Sequence, residues 1–277
     1  MNLWIVAAIV GAITVAVIGV MYAVRRRARR DFFFVEVERG AGGFAFLGTA
    51  FAVLLAFVVF EAFDSFNEAR TGAETEATSV VQLSRTADFF PPAESDQLEG
   101  ILVCYGRAVI NYEWPAMREG DRSPEVQGWV AEMEHGLMGL NPVNPKQEAA
   151  FLQLLEQQDQ RVEARRVRLT EANRALPGPV WFILVLGALL TIGFSLLFAD
   201  KREAFFVQAA LVGAITALVL SGLMLIWFLD HPYEGATGSI EPTEMERQLV
   251  LVEAEQAGIS IPCDPTGTPN TQSELRH

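Results

Sequence analysis

Soft and imidazole side chains are scarce. The chain has 277 residues but only two cysteines, Cys104 and Cys263, and three histidines, His135, His231 and His277. No metal-ligand spacing arises from so few, so no metal site is expected. A dense disulfide framework is excluded for the same reason. One bond between Cys104 and Cys263 and two free thiols both remain open. Catalytic signatures are missing too. There is no G-x-S-x-G, no Walker-type loop and no H-E-x-x-H, and nothing selects a nucleophile with its base. "GAGG" at 40–43 follows a basic stretch and opens an apolar run, so it reads as a flexible turn rather than a phosphate cradle. The expectation is a protein that is not an enzyme, with no cofactor and no nucleic-acid partner. Strand-like alternation of apolar and polar residues is also absent.

Charge is missing from four long stretches. The chain is 51% hydrophobic and yet carries a net charge of −13. Such a pairing is natural when apolar residues and charges occupy different segments. The runs 3–24, 44–63, 180–199 and 204–229 are almost free of charge. Each approaches or exceeds the roughly 20 residues that a helix needs to cross a hydrocarbon layer. The first run is too long for a signal peptide, and its positive charge follows it instead of preceding it. Four membrane-spanning helices are therefore expected, with the lipid bilayer as partner.

Orientation follows from arginine placement. Loop 25–43 carries six arginines, at 25, 26, 27, 29, 30 and 39, while loop 200–203 is short and neutral. The positive-inside rule places both loops in the cytoplasm. The middle segment and the tail then lie outside a bacterial inner (plasma) membrane crossed several times.

Between Phe57 and Leu83 there is no proline and a single glycine, Gly72, although the chain passes from apolar to acidic. An unbroken helix is expected to leave the bilayer and to end at Pro91-Pro92. A second helix should run from about Glu94 to the "EWPAM" motif, where Pro115 kinks or ends it. Ser123-Pro124 and Asn144-Pro145 each pair a capping residue with proline at the first helical position, so helices should start there. The second of these is long. Its charged residues, including Glu156, Asp159, Arg161, Glu163, Arg165 and Arg166, read as a solvated face, and Phe151, Leu152, Leu155, Val162 and Leu169 as its buried face. The last twenty residues are rich in Pro, Thr, Gly and Ser and read as disordered. The fold class expected is an all-α integral membrane protein: four transmembrane helices with a helical bundle inserted between the second and third. The divisions are 1–63, 64–178, 179–229 and a tail 230–277.

Small residues recur at four-residue steps in the third run (Gly187, Thr191, Ser195) and in the fourth (Ala209, Gly213, Ala217, Ser221). They suit close helix approach, within one subunit or between subunits. Thr49, Val53 and Phe57 fall on one row of the second span, with Glu61 and Asp64 close to it. Turned toward a common axis by several subunits, that row would form an apolar constriction opening on a polar vestibule. Packed inside one subunit, it would be ordinary core.

The stretch "FEAFDSFNEAR" (60–70) resembles the region after the second membrane helix of bacterial bestrophins. The matching residues are Phe63, Phe66, Glu68, Ala69 and Arg70. Ser65 stands where the family pattern has Arg. Eight positions before Ser65 lies Phe57, where the resemblance implies a pore-lining Phe, with Val53 and Thr49 at the two earlier neck positions. "NYEWPAM" (111–117), with Glu113, Trp114 and Pro115, and "FLDHPYEG" (228–235), with Asp230 and Pro232, are similar to a closer group of four-span proteins described as bestrophin-like. The resemblance implies a homo-oligomeric, pentameric anion channel with the second span lining the pore. The acidic middle segment and tail disfavour anions at the entrance, so the reading kept is a channel passing small ions. It also implies a cytoplasmic helical region, against the arginine count, and the arginine-based orientation is the one retained. The alternative function is a non-conducting membrane scaffold or sensor whose acidic helical domain binds a partner.

Overall fold

A computed structural model describes residues 2–27, 37–172, 176–197, 204–255 and 258–270, without the side chains of 37–39 and 255. Most of loop 25–43 and all of loop 200–203 lie outside these residues. The described chain is helical: α1 Leu3–Arg27, α2 Val37–Ala87, α3 Pro92–Ala108, a π-helical turn Val109–Glu113, α4 Trp114–Arg118, α5 Pro124–Gly139, α6 Pro145–Glu171, α7 Gly178–Leu196, α8 Phe205–Leu229 and α9 Thr243–Glu255. Four of these, α1, α2, α7 and α8, contain segments long and apolar enough to cross a membrane.

Local chemistry sets the boundaries. At the start of α5, Ser123 Oγ accepts from the Val126 amide at 3.3 Å, and at α6 Asn144 Oδ1 accepts from the Gln147 amide at 3.0 Å. Each satisfies one donor of the first turn, with proline supplying the next fixed φ. Pro115 does not end its helix. The chain widens into the π turn Val109–Glu113 and continues through α4 to Arg118. A π turn relieves the clash between a proline ring and the carbonyl one turn earlier.

The chain divides into two compact units. One comprises Met1–Phe66, Arg174–His231 and Ala236–Gly238. In it, Phe51 and Val58 of α2 are buried together with Leu184 and Ala188 of α7 and with Val219 and Ile226 of α8. Met21 of α1 is buried with Val212 of α8. Small residues bring these helices together inside the protomer: Gly187 leaves room for the Phe51 ring, Gly213 for Ile18 and Gly222 for Leu55. Packing within one subunit is thus the role of Gly187 and Gly213, of the two left open by the sequence.

The other unit comprises Asn67–Asn173, Pro232–Gly235 and Ser239–His277. Its centre is α3, which packs on α5 and α9. Residues 258–270 differ from the expectation of a disordered end, while 271–277 lie outside the described residues. A Cys104–Cys263 disulfide joins α3 to this segment across 159 residues. Arg107 donates to Glu253 at 2.8 Å and to the Asp264 carbonyl at 3.2 Å, and the Trp129 indole donates to the Gly267 carbonyl at 2.7 Å. Gly267, at φ +93°, lies against the Ala108 backbone, where no side chain fits. Composition pointed to disorder here, and one covalent bond with several side-chain hydrogen bonds outweighs it.

The buried face of α6 also departs from expectation. Leu169 is buried, but Leu152 and Val162 are exposed, at 68% and 43%. In their place Gln157, Gln158, Arg161, Arg165 and Arg168 are buried with Ala150 and Leu154. Arg161 and Arg165, expected in solvent, are core residues: the Glu113 carboxylate reaches Arg165, and the Arg161 guanidinium lies over the Tyr105 ring.

Candidate functional site

The face of α2 that packs in the membrane unit carries Phe51, Leu54, Leu55, Val58 and Val59. Each residue turns the helix by about 100°, so Thr49, Val53 and Phe57 stand on the opposite side. They are exposed within the single chain, Val53 at 51% and Phe57 at 71%. Glu61 and Asp64 are exposed as well. Phe46, Phe60 and Phe63 widen this outward surface, at 79%, 68% and 53% exposed. None of the five candidate pore residues takes part in the protomer's core.

The motif residues separate into surface and core. Phe66 meets Phe228 with ring centroids 5.8 Å apart. Ala69 is fully buried, and its carbonyl accepts from the Tyr233 hydroxyl at 3.0 Å. Glu68 is exposed. Arg70 is exposed too and pairs with Glu74 one turn on, at 2.8 Å. Asp230, at the end of α8, is buried and accepts from the Leu176 amide at 2.8 Å and from the Trp181 indole at 3.1 Å. It thereby fixes where the chain enters α7. Pro232 is buried, and its carbonyl accepts from the Ile240 amide at 2.8 Å. Trp114 is buried edge-on against Tyr233, at 5.7 Å, and Pro115 is exposed.

Glu113 leads to a group of residues that sequence reasoning did not assemble. Its carboxylate, wholly buried, accepts from Arg165 Nη2 and Arg168 Nη2, each at 2.5 Å. Arg168 also donates to Glu76 of α2, from Nε at 2.5 Å and from Nη2 at 3.0 Å. Tyr105 of α3 donates its hydroxyl to Glu76. The Arg168 guanidinium lies 5.0 Å from the Trp114 ring, and that of Arg161 lies 4.7 Å from the Tyr105 ring. Burial opposes the charge of Glu113, but Arg168 and Arg165 outweigh it and hold the carboxyl below its usual range. Burial likewise opposes the charge of Arg168, and Glu76 and Glu113 outweigh it and raise the guanidinium further. Arg161, with no exposure, donates through Nε to Gln158 at 2.9 Å, while its Nη1 and Nη2 have no hydrogen-bond partner among the described residues. A signal existed in the sequence. Arg161, Arg165 and Arg168 recur at the four- and three-residue steps of one helix face.

This network locks α2, α3, the π turn and α6 to one another. It holds no nucleophile beside a base. Among the described residues there is also no cluster of His, Cys, Asp and Glu able to hold a metal ion.

A family profile described as "Bestrophin-like domain" matches residues 8–245. No curated protein matches the chain. Solved structures do. One point variant of a bacterial bestrophin homolog from Klebsiella pneumoniae is 16% identical, with a TM-score of 0.68 over 90% of this chain and 98% of that one. Another point variant of a bestrophin homolog from the same organism is 17% identical, with a TM-score of 0.67 over 86% of this chain and 97% of that one. At such identities the likeness speaks to the fold.

Proposed function

The chain belongs to the Bestrophin-like family, and from that premise we propose that it is an oligomeric ion channel whose second membrane helix lines the pore. One observation carries this reading: the α2 row of Thr49, Val53 and Phe57 is left open by the protomer, on the side opposite α7 and α8. Several copies around an axis, five by the family resemblance, bring these rows together. The row then forms a narrow apolar neck that gates through its wetting, with Glu61 and Asp64 beyond it as a polar vestibule. The acidic balance of the chain, −13, repels anions at the entrance and weighs against a purely anionic current.

The middle segment 64–178 and the tail lie on the outer side of a bacterial inner membrane in this reading, and loops 25–43 and 200–203 lie in the cytoplasm. The arginine count supports this orientation. So does the Cys104–Cys263 bond, since disulfides persist in oxidising compartments.

Purified protein in planar bilayers is expected to pass current. Phe57→Ala is expected to widen the neck and raise conductance or open probability. Silent bilayers from protein verified as oligomeric would overturn the channel and leave an anchored scaffold. Subunit mass in mild detergent gives an independent test, because a monomer has no common axis.

A further inference from the structure

A cavity of about 430 Å³ is lined by Tyr22, Arg25, Arg26 and Phe205, and neither the pore row nor the buried ion pairs use it. It sits where α1 ends and α8 begins. The Tyr22 and Phe205 rings that line it touch edge to face, with centroids 5.7 Å apart and planes at 83°. Buried Gln208, one turn into α8, accepts from Arg25 Nη1 at 2.8 Å and so holds that guanidinium at the rim. Arg26 is exposed.

We propose that this cavity binds the phosphate headgroup of an anionic membrane lipid. The first argument is chemical. A guanidinium presents parallel N–H donors that match a phosphate's oxygens, and two neighbouring arginines supply charge for a phosphodiester. The start of α8 adds the partial positive charge of a helix N-terminus, while three arginines in the last turn of α1 outweigh the opposite end of that helix. The second argument is position. Both helices are apolar and long enough to cross a bilayer, so the cavity between their ends lies at headgroup depth. In the orientation proposed above, on which this placement rests, this end of both helices faces the cytoplasm, where basic pockets between membrane helices suit anionic headgroups. The third is the apolar rim. Tyr22 and Phe205 are 50% and 42% exposed, and aromatic side chains at this level contact the glycerol and upper acyl chains. A free phosphate shares the guanidinium contacts but gains nothing from the two rings, which favours the lipid.

The test uses the full chain in mild detergent, loaded with phosphatidylglycerol or with phosphatidylcholine, and counts retained lipid by native mass spectrometry. Wild-type protein is expected to retain phosphatidylglycerol in preference. Arg26→Gln should lower that retention roughly fivefold and leave phosphatidylcholine unchanged. Arg27→Gln, one position on and outside the cavity lining, should retain phosphatidylglycerol as wild type does. Millimolar inorganic phosphate should leave the lipid in place. If Arg26→Gln does not fold, Arg26→Lys keeps the charge, removes the planar fork, and should show a smaller loss. Equal retention of the two lipids, an equal loss in Arg27→Gln, or displacement by inorganic phosphate would each overturn the assignment.

Discussion

Glu113 shows how much one residue can decide. It lies in a π turn, fully buried, and two guanidinium groups depend on it. Replacing it by Gln leaves Arg168 with Glu76 alone and Arg165 with no buried carboxylate. Removing one partner of a buried pair costs about 3–5 kcal/mol, whereas an exposed pair such as Arg70–Glu74 is worth about 0–1 kcal/mol. Thermal melting of Glu113→Gln should therefore show a large loss of stability and Arg70→Gln almost none. Acid should act on the same group. The Glu113 carboxyl is held below its unperturbed 4.5, so its contribution is present above that value and lost as pH falls through the lowered pKa. Glu99 has the opposite sign. Burial first, and then the Asp88 and Asp96 carboxylates, push it up to about 7, against a hydrogen bond from Ser95. Its contribution is complete below about 4.5 and lost as pH rises through about 7. Glu99→Gln should remove that part of the pH dependence, and melting temperature recorded between pH 5 and 8 would reveal a residue that behaves otherwise.

At the scale of elements, helix pairs meet where one side chain is missing. A Cβ on Gly187 would strike the Phe51 ring, and one on Gly222 would come within 2.8 Å of Leu55 Cδ2. Overpacking of this kind costs about 1–3 kcal/mol. Gly187→Ala is expected to lower thermal stability in detergent, whereas Gly193→Ala, with open space around it, should not. The length of four nearly charge-free runs made the apolar helices legible, and the cap-plus-proline pairs located the starts of α5 and α6. Helical periodicity misread the inner face of α6. Apolar residues were assigned to its core, but the carboxylates of Glu76 and Glu113 come from positions 92 and 55 residues away from Arg168. Spacing within one helix carries no information about partners on another.

Across the whole molecule, the Cys104–Cys263 bond is the one covalent cross-link among the described residues, and it spans 159 residues. Reduction, or Cys104→Ser, removes the covalent tie between α3 and residues 258–270, leaving hydrogen bonds to hold them, and is expected to cost about 2–5 kcal/mol. The readout is a lower melting temperature with dithiothreitol and a faster proteolytic cut near Gly258. Composition and charge patterning by themselves determined the class of this protein: four apolar helices, acidic helical segments, and α2 running unbroken from one environment into the other. Those properties belong to single segments, because the length and periodicity of a helix depend only on its own residues. Three things were decided by tertiary structure alone. The two cysteines pair, Arg161 and Arg165 are buried, and the row of Thr49, Val53 and Phe57 is left outside the protomer's core. Each depends on which surfaces meet. Desolvation and close packing are properties of a contact between segments, and no single segment encodes its own neighbours.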